Sequence, residues 1–323
     1  MDLIIGIIQD TYISATVLLM VALGGLFSEK SGVTNIALEG IMIIGGFVGI
    51  GTLQIIESPN INPQLLFLIV LLAGGIAGGL YSTIHAFASV KLKSNQIISA
   101  TALNLFAPAF AIFTARILQD GGSQIQFLTR FRIQEVVILG MNFSDIPIIG
   151  PLLFERVYLS FYIVIILFFI SRYILNKTRF GLRIKALGEN PHAADSLGIN
   201  IYKYRLIAVI ISGVLAGMGG VIFVVSTSTE YAATVAGFGF LSIALLIFGN
   251  WRPTWILFGA LFFGFLRTLG SSYSVIPLFQ NLNLDKEIFV MMPYIMTLVV
   301  LAFFSKNSRA PKALGQVYDK GKR

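Results

Sequence analysis

Cysteine is absent and histidine occurs twice, at His85 and His192, far from one another in the chain. A disulfide, a thiolate metal site and a cysteine nucleophile are thereby excluded, and metal or triad chemistry has almost nothing to work with. No G-x-x-x-x-G-K-[ST] phosphate loop occurs, so the chain does not itself use ATP by that route. What is left are polar groups set inside apolar runs: Ser31, Asn35 and Glu39 in FSEKSGVTNIALEGIMIIGG (27–46), Asn104 in TALNLF, and Arg267. Such groups are costly in hydrocarbon unless they line a cavity or pair across helices. No run carries a clear pair of carboxylates of the kind proton-coupled pumps use. The chemistry on offer is binding and positioning, not bond making.

The elements that must position these groups follow from composition. Of 323 residues 56% are hydrophobic and 12% charged, with a mean hydropathy of +0.85. Soluble domains carry roughly 25% charged residues. Apolar runs long enough to cross about 30 Å of hydrocarbon recur at 12–27, 36–56, 65–90, 97–118, 157–175, 206–227, 234–249, 255–270 and 289–304. These predict an all-α polytopic membrane protein in one transmembrane domain, 1–323, of about nine helices, because lipid-exposed backbone must satisfy its own polar groups. The run at 234–249 is short and broken by GFGF, so it is expected to be re-entrant or interrupted. The N-terminus MDLIIGIIQD has no basic n-region, so no cleavable signal peptide is expected.

The net charge of +8 does not indicate nucleic acid, because the basic residues sit in short loops between the runs, where they orient a membrane protein. Lys30, Lys91, Lys93, the cluster Arg172–Arg205, Arg252 and the tail Lys306–Arg323 fall on one side and hold most of the Lys and Arg. Arg116, Arg130, Arg132, Arg156, Arg267 and Lys286 fall on the other. The N-terminus is therefore expected outside, the C-terminus and the tail 305–323 inside. Arg267, in the outer half of its run, is expected to snorkel outward.

Two non-membrane segments stand out. The outer one, 119–155, could cap a pore or meet an external partner. The inner one, 176–205, contains RFGLRIKALGENPHAADSLGINIYKYR (179–205). Here Asn190 is a good N-cap, Pro191 sits at the favoured first helical position, and Gly198 can end the helix. So short a helix is not stable alone in water and must pack on headgroups, on the spans or on a partner. Small residues in LAGGIAGGLYS (72–82) and SGVLAGMGG (212–220) predict close helix packing. LGGLFS (23–28) and MGGVIFVVS (218–226) echo one another five runs apart, which suggests an inverted repeat with interrupted helices near a midplane site. The first interruption has two readings: an ordinary loop with Asn35 capping the next helix, or an unwound segment beside a path. Tyr231, Phe238 and Phe240 flank the second.

Taken together, GLFSEKSGVTNIALEG, KTRFGLRIKALGENPHAADSLGI, YRLIAVIISGVLAGMGG and FFSKNSRAPKALG resemble the permease subunits of ABC importers of the simple-sugar and branched-chain amino acid family. The likeness is greatest to the shorter permease of nucleoside importers, and runs from about Gly24 to Gly315. It implies that Gly188, Glu189, Asn190, Pro191, Ala193, Ala194, Asp195, Gly198 and Ile199 form a coupling helix seated on an ATPase. It also implies that the stretch holding Ser31, Asn35 and Glu39 lies near the translocation path, with Asn104, Phe238 and Phe240 as further path candidates. Ala37 departs from the glycine often found there. The chain would be no enzyme and hold no cofactor, ATP and Mg belonging to a partner ATPase with two nucleotide-binding halves. A second permease paralogue, an external substrate-binding lipoprotein and membrane lipid complete the implied partners, in a bacterial cytoplasmic membrane. Nucleosides or nucleobases are the expected cargo, with simple sugars or branched-chain amino acids as the alternative and an autonomous transporter or channel the remote one.

Overall fold

The computed structural model describes residues 2–138, 141–147, 149–273, 276, 286–304 and 310–319; Lys306, Arg309, Lys320, Lys322 and Arg323 lie outside them. Each apolar run is helical for the reason already given, that its backbone has no other partner in hydrocarbon. The helices are α1 (Asp2–Lys30), α2 (Leu38–Ile56), α3 (Pro63–Ala86, continued by a π turn Phe87–Lys91), α4 (Gln96–Leu118) and short α5 (Ile149–Leu153). Then come α6 (Leu159–Lys177), α7 (Arg179–Glu189), α8 (Pro191–Ser196), α9 (Ile201–Thr227), α10 (Phe238–Phe248), α11 (Pro253–Ser271) and α12 (Lys286–Phe304). Among the described residues seven, α1–α4, α6, α9 and α11, are long and apolar enough to cross a membrane. The protein is a polytopic all-α membrane protein.

Starts are set by short polar residues. Asn62 accepts from Gln64 N ahead of Pro63, Asn95 from Ile97 N and Ile98 N, and Asn200 from Lys203 N, each satisfying donors the first turn leaves orphaned. α9 is the centre of the bundle. Its glycines meet the backbones of α2 and α3 directly: a Cβ at Gly78 would strike the Gly213 carbonyl, and one at Gly45 would strike Gly217. Helices approach this closely only through small residues, so the glycine runs of α3 and α9 are packing seams.

The polar segments sort to two ends. At one end, Gln9 of α1 donates to Pro151 O and Glu155 O, Glu57 accepts from Leu128 N and Thr129 N, and Gln64 donates to Phe131 O. Here 119–158 is not all loop: β2 (Arg132–Glu135) pairs with β5 (Glu155–Tyr158), β3 (Val137–Ile138) with β4 (Met141–Asn142), and β1 (Ile125–Gln126) with β6 (Glu230–Tyr231) beyond α9. At the other end lie Lys30, α7, α8 and the tail 310–319. α1 thus runs from the first end to the second and α9 runs back, and each is followed by an interruption, 31–37 and 228–237.

Candidate functional site

A buried backbone that leaves the helix strands its polar groups unless something else bonds them. Around 31–37 neighbouring side chains do this group by group. Ser28 Oγ donates to Val33 O (2.8 Å), and Arg205 Nε of α9 donates to Ser31 O (3.1 Å). Thr34 N donates to Gln96 Oε1 (2.7 Å), while its carbonyl lies 3.0 Å from His85 Nε2. A carbonyl only accepts, so that nitrogen carries the proton. Asn104 of α4 bridges the entry to α2: its Nδ2 donates to Ile36 O (2.9 Å) and its Oδ1 accepts from Gly40 N (2.8 Å). Asn35 does not cap α2, which begins behind Ala37 without a side-chain cap; its Nδ2 donates instead to Ser212 Oγ (2.9 Å). Ser31 and Asn35 are buried, and no residue of 31–37 is exposed.

The second interruption differs. It descends from β6 and ends at α10, whose 11 residues span only about 16 Å, half the hydrocarbon thickness. The helix expected at 234–249 is therefore a half-helix. Its N-terminus points its unpaired N–H groups at Glu39, in the first turn of α2. Glu39 Oε1 accepts from Gly237 N (2.9 Å), and Oε2 accepts from Gly239 N (2.7 Å) and Phe240 N (3.3 Å). A carboxylate at the positive end of a helix is favourable, and here it joins the two interruptions. A Cβ at Gly239 would hit the Glu39 backbone, so only glycine lets the two segments meet. Ala233 and Ala236 have φ of 51° and 50°, left-handed geometry that alanine adopts only under constraint. Along this stretch Ala232, Thr234 and Ala236 are exposed while Ala233 and Val235 are buried.

Arg267, expected to snorkel, is drawn to this site. Its guanidinium lies 5.0 Å from the Phe238 ring centroid and donates to Tyr294 Oη (3.2 Å), whose hydroxyl donates to Ala236 O (3.1 Å). Phe238 is buried beneath it; Phe240 is 49% exposed. At its far end α10 is fixed by Trp251, whose Nε1 donates to buried Glu29 of α1. Glu29 stands in the quoted FSEKSG string, and Trp251 is one of two tryptophans; their pairing has no sequence signal because 222 positions separate them. An open cleft at the opposite end, with Arg130, Arg132 and Arg156 in its wall, was equally illegible, because it brings β2, β5 and the end of α9 together from distant parts of the chain.

The inner segment 176–205 resolves into α7 and α8. Asn190 Oδ1 accepts from Ala193 N (3.0 Å), Pro191 is the first residue of α8, and Gly198 has φ +74°. Gly188 carries no Cβ because one would strike Lys30 O, and its carbonyl accepts from Ala313 N (2.8 Å). Leu187 and Ala194 are buried, whereas Glu189, Ala193, Gly198 and Leu197 are exposed. Partial burial pushes the Lys185 ammonium down from its ordinary value, and the hydrogen bond to Asp319 pushes Lys93 up.

Interrupted helices that meet inside a membrane bundle recur among transport proteins. Residues 7–301 match the family described as branched-chain amino acid transport system, permease component. The chain belongs to this family of membrane permeases. It is 39% identical to the guanosine ABC transporter permease NupQ of Bacillus subtilis (98% of this chain, 97% of NupQ). It is 38% identical to the nucleoside ABC transporter permease NupC of Lactococcus lactis (98% and 97%). It is 32% identical to the putative glucose ABC transporter permease TsgC13 of Haloferax volcanii (98% of each chain). The first two organisms each have a second, more distant matching permease. No solved structure matches.

Proposed function

We propose that this permease is one of two paralogous membrane subunits of an ATP-driven nucleoside importer, and that its path runs along the second interruption. The observation that carries the path is the exposed edge Ala232–Thr234–Ala236 beside half-exposed Phe240. Irregular backbone at membrane depth is tolerated only where it lines water or is covered by protein. Lipid cannot cover this edge, so it faces a cavity shared with the second permease. Phe106 and Phe110 of α4, stacked at 5.5 Å and 54% and 40% exposed, continue the wall with π-faces suited to a nucleobase. Ser31, Asn35 and Asn104 act behind it as braces, and Glu39 sets the position of the wall.

The basic end, carrying α7, α8 and the tail, is the cytoplasmic one by the distribution of Lys and Arg, which leaves the N-terminus outside. There the segment of Gly188, Glu189, Asn190, Pro191, Ala193, Ala194, Asp195, Gly198 and Ile199, with α8 at its centre, couples to an ATPase with two nucleotide-binding halves. The arginine-lined cleft at the outer end is where an external substrate-binding lipoprotein delivers its cargo. Full-length likeness to NupQ and NupC supports nucleosides over sugars or amino acids.

The test is uptake of radiolabelled guanosine and adenosine by cells with and without this gene, with excess ribose, glucose and leucine as competitors. Uptake that needs the gene and is blocked by cold nucleosides alone is the expected result. Unchanged nucleoside uptake refutes the cargo and leaves the permease family standing.

A further inference from the structure

The tail 310–319 does work that neither the family nor the coupling reading assigns. α8 has six residues, too few to hold a helix alone in water. It is closed over a small apolar core of Leu187, Ala194, Ile201 and Tyr318, and the last of these comes from the tail. The Tyr318 ring stands 5.2 Å from His192 of α8 and 5.9 Å from Tyr202 of α9. The backbone is pinned too. Ala313 N donates to Gly188 O (2.8 Å) and Gly315 N to Gly32 O (3.1 Å). One guanidinium, that of buried Arg205, donates to both Ser31 O and Gln316 O, each at 3.1 Å. The tail therefore bridges α8 to the first interruption, anchored on the way by Gly188 of α7 and Arg205 of α9.

Between α8 and the tail opens a cleft, with Glu189 and His192 on one wall and Lys312 and Gln316 on the other. It is continuous with α8, and at the end of α8 Leu197 is 80% exposed on the basic, aqueous side. We infer that the tail is the second wall of the groove that receives the ATPase, so that the ATPase loads α8 and the tail together. Through Gly32 and Arg205 the tail passes that load to 31–37, one turn from Glu39. This rests on the reading that α8 couples to an ATPase. Contacts alone show a route and not its energy, so the coupling has to be measured.

The absence of cysteine makes cross-linking clean. In the assembled complex, single variants His192→Cys, Lys312→Cys and Gln316→Cys are treated with a short bifunctional cross-linker, with Gln134→Cys at the outer end as control. Cross-links to the ATPase from both walls, and none from the control, are expected. Cross-links from His192→Cys alone overturn the tail's role and keep α8 coupling; none from any position overturns the coupling reading itself. In parallel, a chain ending after Ala310 and the milder Tyr318→Ala are scored for ATPase retained per permease pair. Truncation should lower retention at least tenfold and Tyr318→Ala about threefold. Retention and uptake equal to the parent in both would sink the inference. If the truncated chain does not accumulate, Tyr318→Ala and the cross-links decide.

Discussion

The two interruptions solve one physical problem in opposite ways. At 31–37 side chains from α3, α4 and α9 take up the freed backbone groups and no residue is exposed. At 228–237 the chain is held at its ends, by β1 above and Glu39 below, and five residues between Ser228 and Ala236 are exposed. An unwound segment braced on all sides is held like a post; one held at its ends with an open edge is, on the proposed path, free to serve as its wall. Glu39 is where the post holds the wall.

The largest effect is expected from breaking that join. Glu39→Ala leaves three N–H groups at the start of α10 without an acceptor, each costing about 1–3 kcal/mol if it stays buried. Uptake should be abolished and the purified complex should melt earlier. Glu39→Gln keeps an acceptor oxygen and should recover part of the melting temperature. A Glu39→Ala protein with normal uptake would remove Glu39 from the mechanism.

Asn104→Ala attacks the post. It strands Ile36 O and Gly40 N, a loss of about 2–6 kcal/mol from two unmade bonds if both stay buried. The amount of folded permease should drop while uptake per folded molecule is nearly kept. A tenfold fall in specific uptake at unchanged yield would show that the first interruption also moves.

Trp251→Phe removes the donor to Glu29 and leaves a buried carboxyl without it, at about 1–3 kcal/mol. Because this contact ties α10 to α1 near α7, substrate-stimulated ATP hydrolysis should persist while uptake per ATP falls. Equal loss of both would make the pair a stability element only.

Phe240→Ala is the mildest. The side chain is half exposed, so stability should change by about 0.5 kcal/mol or less, checked by thermal melting. Uptake should still fall several-fold, with Phe240→Trp restoring it through a larger stacking face. No change in uptake would move the wall away from Phe240.

Much of this was legible because it depends on near neighbours in sequence. Hydrophobic length marks where the helices lie, since hydrocarbon forces every long apolar run to bond itself. Local chemistry fixes the Asn190 cap, the Pro191 start and the Gly198 end, because caps act over three or four residues. The GFGF break in the 234–249 run gave notice of the half-helix. What could not be read were pairings across the fold. Asn35 looks like a cap and serves α9; Arg267 looks free to snorkel and lies on Phe238. Gly239 is one glycine among 32 until it is seen against Glu39.

By itself, then, the amino-acid sequence determined a polytopic helical permease, its two interruptions and its capped basic segment, all consequences of short-range hydrogen bonding and of the solvent the chain must enter. Only the tertiary structure decided which interruption is braced and which is open, that Glu39 holds α10, and that the tail closes over α8. Those outcomes depend on which distant donor happens to reach which acceptor, and residues 198 positions apart, such as Glu39 and Gly237, meet only when the whole bundle has packed.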